Sequence, residues 1–373
     1  MSATLVHWLA LSGLGLWIVI LLLPWRPWST RESLDGDTTI TDADLSDVTV
    51  LVPARNEARH IAATLEGLRR QGHSLEVVVI DDHSDDDTSG AAARVPLDGL
   101  RIVRPPPLEE GWSGKLWALQ AGLPHASRPL LLLLDADILL RPGTIPALRA
   151  KLLREGLDLV SLMARLRMEN AWERCLMPAF IYFFKLLYPF SLANSRSPLV
   201  AAAAGGCILM RRQRLDQIGG FHALRDALID DCTLAARVKA TGGRTWLGLT
   251  HSAVSQRGYD GLAPIWEMVA RTAFTQLRYS TTLLVSCTLL MTIAFPAPVL
   301  AILAGGRETL IGLGALALML LTYLPVLDYY RLPRSWLLTL PLAGCLYLAM
   351  TWSSAWRYWR GHRSRWKGRV YAR

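Results

Sequence analysis

Charged residues and cysteines are both scarce in this chain. Only 19% of its 373 residues are Asp, Glu, Lys or Arg, while 51% are hydrophobic. This composition excludes disordered and collagen-like chains, and the mean hydropathy of +0.26 is too high for an ordinary soluble enzyme. The five cysteines form no CxxC pair and no Cys/His ligand spacing, so we expect neither a disulfide framework nor a zinc site.

Nucleotide-hydrolysis and nucleic-acid motifs are absent as well. Gly114-Lys115 is not part of a phosphate-binding P-loop, because Glu109 and Leu116 occupy the positions where that loop needs Gly and Ser or Thr. The net charge of +9 alone would allow a nucleic acid, an anionic substrate or an anionic membrane face as partner. No recognition-helix, zinc-finger or RNA-binding signature supports a nucleic acid, so we predict no nucleic-acid partner.

Hydrophobic residues are concentrated at the two ends of the chain. Residues 5–23 contain no charged residue and are long enough to cross a bilayer as a helix, which predicts a transmembrane anchor within residues 1–28. A secretory signal peptide is the alternative. It is disfavoured because no Lys or Arg precedes the run, and a Pro- and Trp-rich segment follows where a cleavage site would stand.

The C-terminal part, residues 281–355, contains three further candidate spans at 283–304, 309–327 and 335–352. Residues 356–373 form a basic tail with tryptophans, a pattern typical of a cytoplasmic edge at an anionic membrane surface. If the middle of the chain is cytoplasmic, three crossings would place this tail outside. We therefore expect either the first or the last of these segments to be re-entrant or interfacial.

The middle of the chain alternates strand and helix patterns. Residues 48–52, 76–80 and 130–134 are predicted as buried strands, and residues 57–71 carry apolar side chains at helical spacing. A strand, helix and strand of this length favour a right-handed parallel crossover. Because ligands of such sheets bind at the carboxyl ends of the strands, the candidate site residues are those that follow each strand.

Carboxylates follow all three of these strands. Asp135 and Asp137 leave the apolar strand 130–134 together, and two such carboxylates repel each other unless a cation lies between them. Oxygen ligands of this kind, together with phosphate oxygens, predict a divalent cation, Mg²⁺ or Mn²⁺. Asp82 and Glu57 can accept hydrogen bonds from a nucleobase or ribose, although a lone Asp after a strand is usually a turn former.

Lys115 is predicted to neutralise phosphate. Further along, Asp230 and Asp231 open a predicted helix. Interaction with the helix dipole would explain one of these two acids. In combination with the earlier carboxylates, we expect Asp231 to act as a general base that deprotonates an acceptor hydroxyl.

The order of these motifs resembles the family 2 glycosyltransferases of GT-A fold, over residues 46–280. The motif residues, in chain order, are Pro53, Asn56, Glu57, Asp81, Asp82, Lys115, Asp135, Asp137, Gly205, Gly206, Asp230 and Asp231. The resemblance implies an α/β, Rossmann-like domain that binds a nucleotide-sugar, with a UDP-sugar favoured. It assigns Asp82 to the nucleotide, Asp135 and Asp137 to the metal and donor diphosphate, and Asp231 to the base. The family commonly has Glu at the position of Asp230.

One departure from the family pattern concerns polymer synthesis. Polymerising members carry a QxxRW motif after the base, whereas this chain has Gln276, Arg278 and Tyr279 in a different spacing, with Arg271 upstream. This difference favours a single transfer to a lipid, with Gln276 and Arg278 as donor-binding candidates. Alternatively, Arg271 and Arg278 belong to a basic edge beside the membrane, and both interpretations are compatible.

The chain also resembles the hopene-associated glycosyltransferases over nearly its whole length, through segments around Trp112, Trp172, Asp230, Arg271 and Trp366. That resemblance implies a bacterial inner-membrane enzyme of hopanoid metabolism, with a hopanoid-type lipid as the favoured acceptor. Together with the hydrophobic segments, it predicts a multi-pass protein with a cytoplasmic catalytic domain. Residues 171–193 are predicted as an interfacial helix with Lys185 and Arg174 toward headgroups. A buried core helix is the alternative.

These observations predict an inverting, metal-dependent transfer of a sugar from a nucleotide donor to a membrane lipid. One alternative is a polyprenyl-phosphate sugar synthase, whose phosphate acceptor needs little base catalysis. The other is a non-catalytic membrane scaffold with a degenerate transferase domain, and the intact acids at all motif positions argue against it.

Overall fold

The structure, a computed structural model, describes residues 3–40, 42–361, 365–366 and 369–370. The strands are β1 (Val48–Ala54), β2 (Glu76–Asp81), β3 (Leu100–Val103), β4 (Leu130–Leu134), β5 (Ile138–Leu140), β6 (Leu159–Arg165), β7 (Cys207–Arg211), β8 (Thr245–Ser255), β9 (Arg365–Trp366) and β10 (Arg369–Val370).

The helices of the first part of the chain are α1 (Ala3–Leu22), α2 (Ile61–Arg69), α3 (Thr88–Ala93), α4 (Gly114–Gly122), α5 (Thr144–Arg154), α6 (Ala171–Leu187), α7 (Phe190–Ala193) and α8 (Arg212–Gln217). Those that follow are α9 (Asp230–Ala240), α10 (Leu262–Ala270), α11 (Ala273–Gln276), α12 (Thr281–Ala294), α13 (Pro296–Ala304), α14 (Arg307–Tyr329) and α15 (Leu340–Trp359). Short 3₁₀ helices occupy Leu123–His125, Phe221–Leu224 and Arg334–Thr339.

The chain divides into two compact units. The sheet unit comprises Glu32–Arg167, Leu192–Gly258 and Ser364–Arg373, and the helical unit comprises Met1–Arg31, Met168–Ser191 and Tyr259–Arg363. Residues 46–280, predicted as one transferase domain, therefore contribute to both units. Of the predicted basic tail, Arg363, Lys367 and Arg373 lie outside the described residues.

The sheet unit is built on a mixed sheet with the described strand order β3-β2-β1-β4-β7-β6-β8-β5. β1 pairs in parallel with β2 and β4, so that the parallel pairing predicted for the two strands that α2 connects is confirmed. β7 runs antiparallel between β4 and β6, and β5 pairs antiparallel with β8. These pairings bring the ends of β1, β2 and β4 to one edge of the sheet, which is where ligands bind in such folds.

Helices cover both faces of this sheet, which explains why its strands are continuous apolar runs. Successive side chains of a strand point to opposite faces, so Leu132 packs into one core with Ile61 and Leu65 of α2. Its neighbour Leu133 packs into a second core with Trp117 of α4. Both cores are buried, and they fix the strand ends from which the site residues project.

Helix α2 begins at Ile61, four residues later than predicted. Asn56 has a φ of +53°, a left-handed conformation that ends the extended chain after β1. The backbone N–H of Glu57 donates to Thr88 Oγ1 at 2.9 Å, and that of Ala58 to Asp86 at 3.1 Å. Because side chains of the next loop bind these N–H groups, residues 55–60 form a turn that joins the β1 and β2 ends.

The helical unit contains three helices that are long and apolar enough to cross a membrane, within the part of the chain that the structure describes. They cover residues 4–22, 307–329 and 334–359. A fourth candidate is a pair of helices, residues 262–276 and 281–294, bent by 119°. The predicted span 283–304 is not one helix, because α12 ends at Ala294 and Pro296 begins α13.

Helix α6 packs within the helical unit against α14 and α15. Tyr182 Oη lies 2.7 Å from Thr322 Oγ1, and the Tyr347 hydroxyl donates to the Leu176 carbonyl at 2.9 Å. The Lys185 side chain is buried, with its ammonium 3.7 Å from the Phe190 ring centroid, so its predicted orientation toward headgroups is wrong. α6 ends at Leu187, and a bend at Tyr188 leads into α7, whose first residue is Phe190.

Candidate active site

The loops after β1 and β2 are tied together by hydrogen bonds. The Asn56 N–H donates to Ser84 Oγ at 3.0 Å, and the Asp85 N–H donates to Asn56 Oδ1 at 2.8 Å. Arg55 donates to the backbone carbonyls of Asp82 and His83 at 2.6 and 2.7 Å. The predicted residue Asn56 therefore fixes the shape of the loop, and Pro53 is part of β1 itself.

The paired acids at the end of β2 have different environments. Asp81 accepts hydrogen bonds from the Ser84 N–H at 2.9 Å and from the Ser89 hydroxyl, the arrangement of a turn-forming aspartate. Asp82 is fully buried, and its N–H donates to the Ala54 carbonyl at 2.8 Å. Burying a carboxylate is costly, so the two acids of the pair differ in environment as well as in hydrogen bonding.

Asp135 and Asp137 occupy the turn between β4 and β5. The Asp135 N–H donates to the Gly206 carbonyl at 3.1 Å, and the Ile138 N–H donates to the Asp135 carbonyl at 3.0 Å. The Asp137 carbonyl accepts from the Gln256 N–H at 2.8 Å. The two side chains face different partners, which form two charged groups described below.

The first group surrounds Lys115, and we refer to Lys115, Asp135, Asp230 and Asp231 as the lysine cluster. Lys115 Nζ lies 2.7 Å from Asp135 Oδ1, 3.6 Å from Asp230 Oδ2 and 3.4 Å from the Gly205 carbonyl oxygen. Lys115 projects from the first turn of α4, whose N-cap is Ser113. The lysine predicted to bind phosphate therefore lies among three carboxylates.

Asp230 and Asp231 begin α9, as the sequence predicted. Asp231 Oδ1 accepts from the Cys232 N–H at 2.7 Å. A Cβ atom at Gly205 would lie 3.2 Å from Asp231 Oδ2 and 3.3 Å from Lys115 Nζ, so a side chain there would crowd both groups. The adjacent Gly206 faces Ile138 instead, and it contributes to packing beneath the turn.

Burial and like charge shift the pKa values of two acids of the lysine cluster, Asp135 and Asp231. Burial, together with the charge of Asp230, raises the pKa of Asp231 to about 7. Burial also raises the pKa of Asp135, and the Lys115 ammonium limits that rise. Burial alone would lower the pKa of Lys115, but the charges of Asp135 and Asp230 outweigh it and raise this pKa. An acid with a pKa near neutrality is suited to accept a proton at physiological pH.

The second group surrounds Arg257, and we refer to Arg257, Asp137, Glu57 and His60 as the arginine cluster. Arg257 Nε lies 2.8 Å from Asp137 Oδ2, and Arg257 Nη2 lies 2.7 Å from Glu57 Oε1. The second Glu57 oxygen lies 2.9 Å from His60 Nδ1. The Glu57 side chain is 6% exposed and that of Asp137 is 13% exposed, so both acids are largely shielded from water.

Sequence reasoning did not identify Arg257. It lies two residues beyond β8, and Ile138 of β5 pairs with Ser255 of β8, which places Arg257 beside the Asp137 turn. The available signal was the same strand-end rule that identified Asp135 and Asp137. That signal depends on recognising β8 and its antiparallel partner β5, and neither strand was predicted.

The predicted donor-binding residues Gln276 and Arg278 lie in the helical unit. The Tyr188 hydroxyl donates to Gln276 Oε1 at 2.7 Å. Arg278 and Tyr279 both have left-handed backbone conformations, with φ of +50° and +56°, and the Tyr279 ring stacks on Tyr358 at 4.5 Å between centroids. Two consecutive non-glycine residues in this conformation are strained, a condition that clusters at functional segments.

Arg271 caps the C-terminal end of α10, and its N–H donates to the Glu267 carbonyl at 3.1 Å. It thus lies one short helix upstream of Gln276, within the same unit. The sheet unit contains all the other predicted site residues.

A divalent cation fits the Asp135 and Asp137 turn. Each of these two carboxylates already has a cationic side chain within 2.8 Å, Lys115 on one and Arg257 on the other, so both positions favour positive charge. Among the described residues, no group of three His, Cys, Asp or Glu side chains forms a complete metal site. Two protein carboxylates completed by substrate phosphates and water are a usual arrangement for Mg²⁺.

The comparison with protein families identifies the chain. A family model described as "Glycosyltransferase like family 2" matches residues 46–274, which is more than half of the chain. The chain belongs to glycosyltransferase family 2. The matched range contains all the acids of the lysine and arginine clusters.

Two curated relatives illustrate the range of similar proteins. Undecaprenyl-phosphate 4-deoxy-4-formamido-L-arabinose transferase from Pseudomonas syringae is 29% identical over 175 residues, 45% of this chain and 47% of that protein. 4,4'-Diaponeurosporenoate glycosyltransferase from Staphylococcus haemolyticus is 30% identical over 112 residues, 30% of this chain and 28% of that protein. The chain thus spans about half, or less, of the length of these relatives.

The solved structures include mannosyltransferase PcManGT from Pyrobaculum calidifontis, in complex with GDP-Man and Mn²⁺. It is 22% identical, with a TM-score of 0.57 over 91% of this chain and 99% of that one. This likeness, together with the family model, confirms the predicted α/β fold of GT-A type.

Proposed function

We propose that this protein is a membrane-bound inverting glycosyltransferase, which moves a sugar from a nucleotide-sugar to a hopanoid-type lipid. The observation that carries the proposal is the lysine cluster. In it Asp231, the predicted base, and Asp135, of the predicted metal motif, lie around one lysine. An enzyme of this kind needs a proton acceptor beside the centre that holds the departing diphosphate.

In this proposal Asp231 accepts the proton of the acceptor hydroxyl as that oxygen attacks the anomeric carbon of the sugar. Its raised pKa makes it a base of moderate strength at neutral pH. Asp135 and Asp137 would hold a divalent cation, Mg²⁺ or Mn²⁺, which when bound supplies charge stabilisation for the departing diphosphate. Lys115, at 2.7 Å from Asp135, would provide further positive charge on the same side.

The nucleotide part of the donor is assigned to the loops after β1 and β2. Asp82, buried at the end of β2, and Glu57 are the acceptors for the base or ribose, and a UDP-sugar is the favoured donor. Pro53 and Asn56 shape the same loop. Gln276 and Arg278 are proposed to contact the donor phosphates, and the left-handed backbone at Arg278 supports a functional role for that segment.

The lipid acceptor is supported by the helices and by the relatives. Undecaprenyl phosphate and diaponeurosporenoate, named for two relatives, are both lipids.

Three crossings, at residues 4–22, 307–329 and 334–359, would leave the sheet unit and the basic tail on one side of the membrane. Because basic residues favour the cytoplasmic face, we propose a bacterial inner-membrane protein with a cytoplasmic active site. Helix α6 is proposed to lie near the membrane interface.

A second candidate is a polyprenyl-phosphate sugar synthase, which the undecaprenyl-phosphate relative favours. A phosphate acceptor is already anionic and needs little base catalysis. The two candidates therefore differ in how strongly they depend on Asp231.

Transfer of a radiolabelled sugar into the lipid fraction, with Asp137→Ala and Asp231→Asn variants, tests the proposal. We expect both variants to lose transfer while retaining the circular dichroism spectrum of the wild type. Loss in Asp137→Ala alone would favour the phosphate acceptor. Full transfer by both folded variants would contradict the assignment of the site.

A further inference from the structure

We propose that Arg257 is a counter-ion within the donor site. Its guanidinium pairs with the Asp137 carboxylate, and a divalent cation replaces it at that carboxylate when the nucleotide binds. The inference rests on the proposed function, since it assumes that Asp137 holds a cation together with the donor diphosphate. It assigns to Arg257 a positioning role that couples cation binding to nucleotide binding.

The backbone around Arg257 is fixed, so an exchange of partners would involve its side chain. The Gln256 N–H donates to the Asp137 carbonyl at 2.8 Å, and Gln256 Nε2 donates to Thr64 Oγ1 at 3.0 Å. Thr64 in turn donates to the Ala136 carbonyl at 2.8 Å. These bonds join the end of β8, helix α2 and the acidic turn into one framework that holds Arg257 in reach of Asp137.

Glu57 allows Arg257 to leave Asp137 without becoming an unpaired charge. Arg257 Nη2 is bound to Glu57 at 2.7 Å independently of the Nε contact with Asp137. His60 holds the other Glu57 oxygen at 2.9 Å, so Glu57 stays in place when the guanidinium rotates. The arginine side chain is 38% exposed, which leaves room for this movement.

The exchange makes cation binding depend on the nucleotide. Without nucleotide, a cation at Asp137 has to break a charge-assisted hydrogen bond, and the described residues provide no third acidic or histidine ligand. With nucleotide, the diphosphate supplies further oxygen ligands, and the displaced guanidinium gains an anionic partner that suits its planar donor fork. Arg257 therefore weakens binding of the cation alone and strengthens binding of the pair.

The test is a titration of the purified full chain in detergent with Mn²⁺, where the signal of free Mn²⁺ in electron paramagnetic resonance reports binding. Each titration is run alone and with UDP or GDP, and a protein-free titration with the same nucleotide is subtracted because the diphosphate itself binds Mn²⁺. We expect Arg257→Ala to bind Mn²⁺ alone about tenfold more tightly than the wild type, because one charge-assisted hydrogen bond no longer has to be broken. The gain in Mn²⁺ affinity on adding nucleotide should shrink in that variant. The Mn²⁺ affinity of Arg257→Lys should lie between those of the wild type and Arg257→Ala.

Arg149→Ala is the matched control. Arg149 Nε lies 2.7 Å from Asp47 Oδ2, and its side chain is 38% exposed, the same fraction as that of Arg257. Asp47 precedes β1, at the opposite end of that strand from the site, so this variant should bind Mn²⁺ like the wild type. The control separates the loss of an Arg–Asp pair in general from the loss of this pair.

Unchanged or weaker Mn²⁺ binding by folded Arg257→Ala would overturn the counter-ion role. The Asp137→Asn variant tests the underlying assumption that Asp137 holds a cation together with the donor diphosphate. If that variant keeps nucleotide-dependent Mn²⁺ binding, or the wild type has none, the proposed donor site is wrong and this inference falls with it.

Discussion

Asp135 and Asp137 lie two residues apart in one turn, yet their electrostatic environments differ. Asp135 shares the single ammonium of Lys115 with Asp230, and Asp231 lies beside them, so the lysine cluster has an excess of negative charge. Asp137 shares Arg257 with Glu57, and Glu57 has a second partner in His60. We propose that the two clusters have different roles, in which the lysine cluster accepts a proton and the arginine cluster exchanges one cation for another.

The difference follows from the elements that deliver each partner. Lys115 comes from the first turn of α4, and Asp230 and Asp231 come from the first turn of α9. Together with Asp135, three acids therefore surround one lysine. Arg257 is delivered by the antiparallel pairing of β5 with β8, which matches one arginine to one acid of the turn. The following changes test these different roles, from the largest expected effect to the smallest.

Replacing the proposed base should have the largest effect on turnover. Asp231→Asn removes the proton acceptor, and we expect kcat for transfer to fall about 10³-fold, the size of a general-base contribution. Donor affinity should change little, because the arginine cluster is intact. A fall in donor affinity as large as the fall in kcat would show that the lysine cluster also binds the donor.

Replacing the proposed cation ligand should act on binding. Asp137→Asn leaves Arg257 paired with Glu57 and removes a carboxylate from the donor site, so we expect nucleotide affinity in the presence of Mn²⁺ to fall about a hundredfold. Isothermal titration calorimetry with and without Mn²⁺ measures this. Equal nucleotide affinity in the two proteins would remove the distinction between the clusters.

Removing the shared lysine should destabilise the sheet unit. Lys115→Met leaves Asp135, Asp230 and Asp231 without their cation, and we expect the free energy of unfolding to fall by about 2 kcal/mol, less than for a fully buried pair because Lys115 is 17% exposed. Denaturant unfolding monitored by tryptophan fluorescence measures the change, with Arg149→Ala as a comparison.

The same Lys115→Met variant predicts a pH dependence of stability. Without the ammonium, burial and mutual repulsion raise the pKa values of Asp135 and Asp231 further above those in the unfolded chain. The folded state then binds more protons than the unfolded state, so stability falls as pH rises from 5 to 8. In metal-free buffer the variant should lose more stability over this range than the wild type; an equal loss would contradict the account of the cluster.

Removing one like charge should have the smallest effect. Asp230→Asn takes away the neighbour whose charge contributes to the raised pKa of Asp231, so the pKa of the base should fall. Because the base works in its deprotonated form, we expect the midpoint of the rise of kcat/KM with pH to move down by about 0.5 to 1 unit. A midpoint that moves up would argue that Asp230 binds a proton in place of Asp231.

Much of the fold and site was predictable, because apolar strands that end in acids carry a strong signal. The strands β1, β2 and β4 were located from their continuous hydrophobic runs, and the strand-end rule led to Asp82, Asp135 and Asp137. The helix break within the predicted span 283–304 coincides with Pro296, a residue that the sequence shows directly.

The unpredicted features depend on long-range pairing. Arg257 reaches Asp137 only through the register of β5 with β8, strands more than a hundred residues apart in the chain. Lys115 was expected to face phosphate, and its contacts with Asp135 and Asp230 depend on the approach of α9 to α4. Burial of Lys185 against Phe190 depends on the bend between α6 and α7, which helical periodicity does not indicate.

The most direct measurement is sugar transfer to lipid by the purified full chain. The protein is supplied with radiolabelled UDP- or GDP-sugars, Mn²⁺ and a bacterial lipid extract that includes hopanoids, and label in the organic phase is counted for the wild type and for Asp231→Asn. We predict Mn²⁺-dependent label in lipid with the wild type and about 10³-fold slower labelling with the variant. Equal labelling by the two folded proteins, or none by the wild type with any donor, would contradict the proposed function.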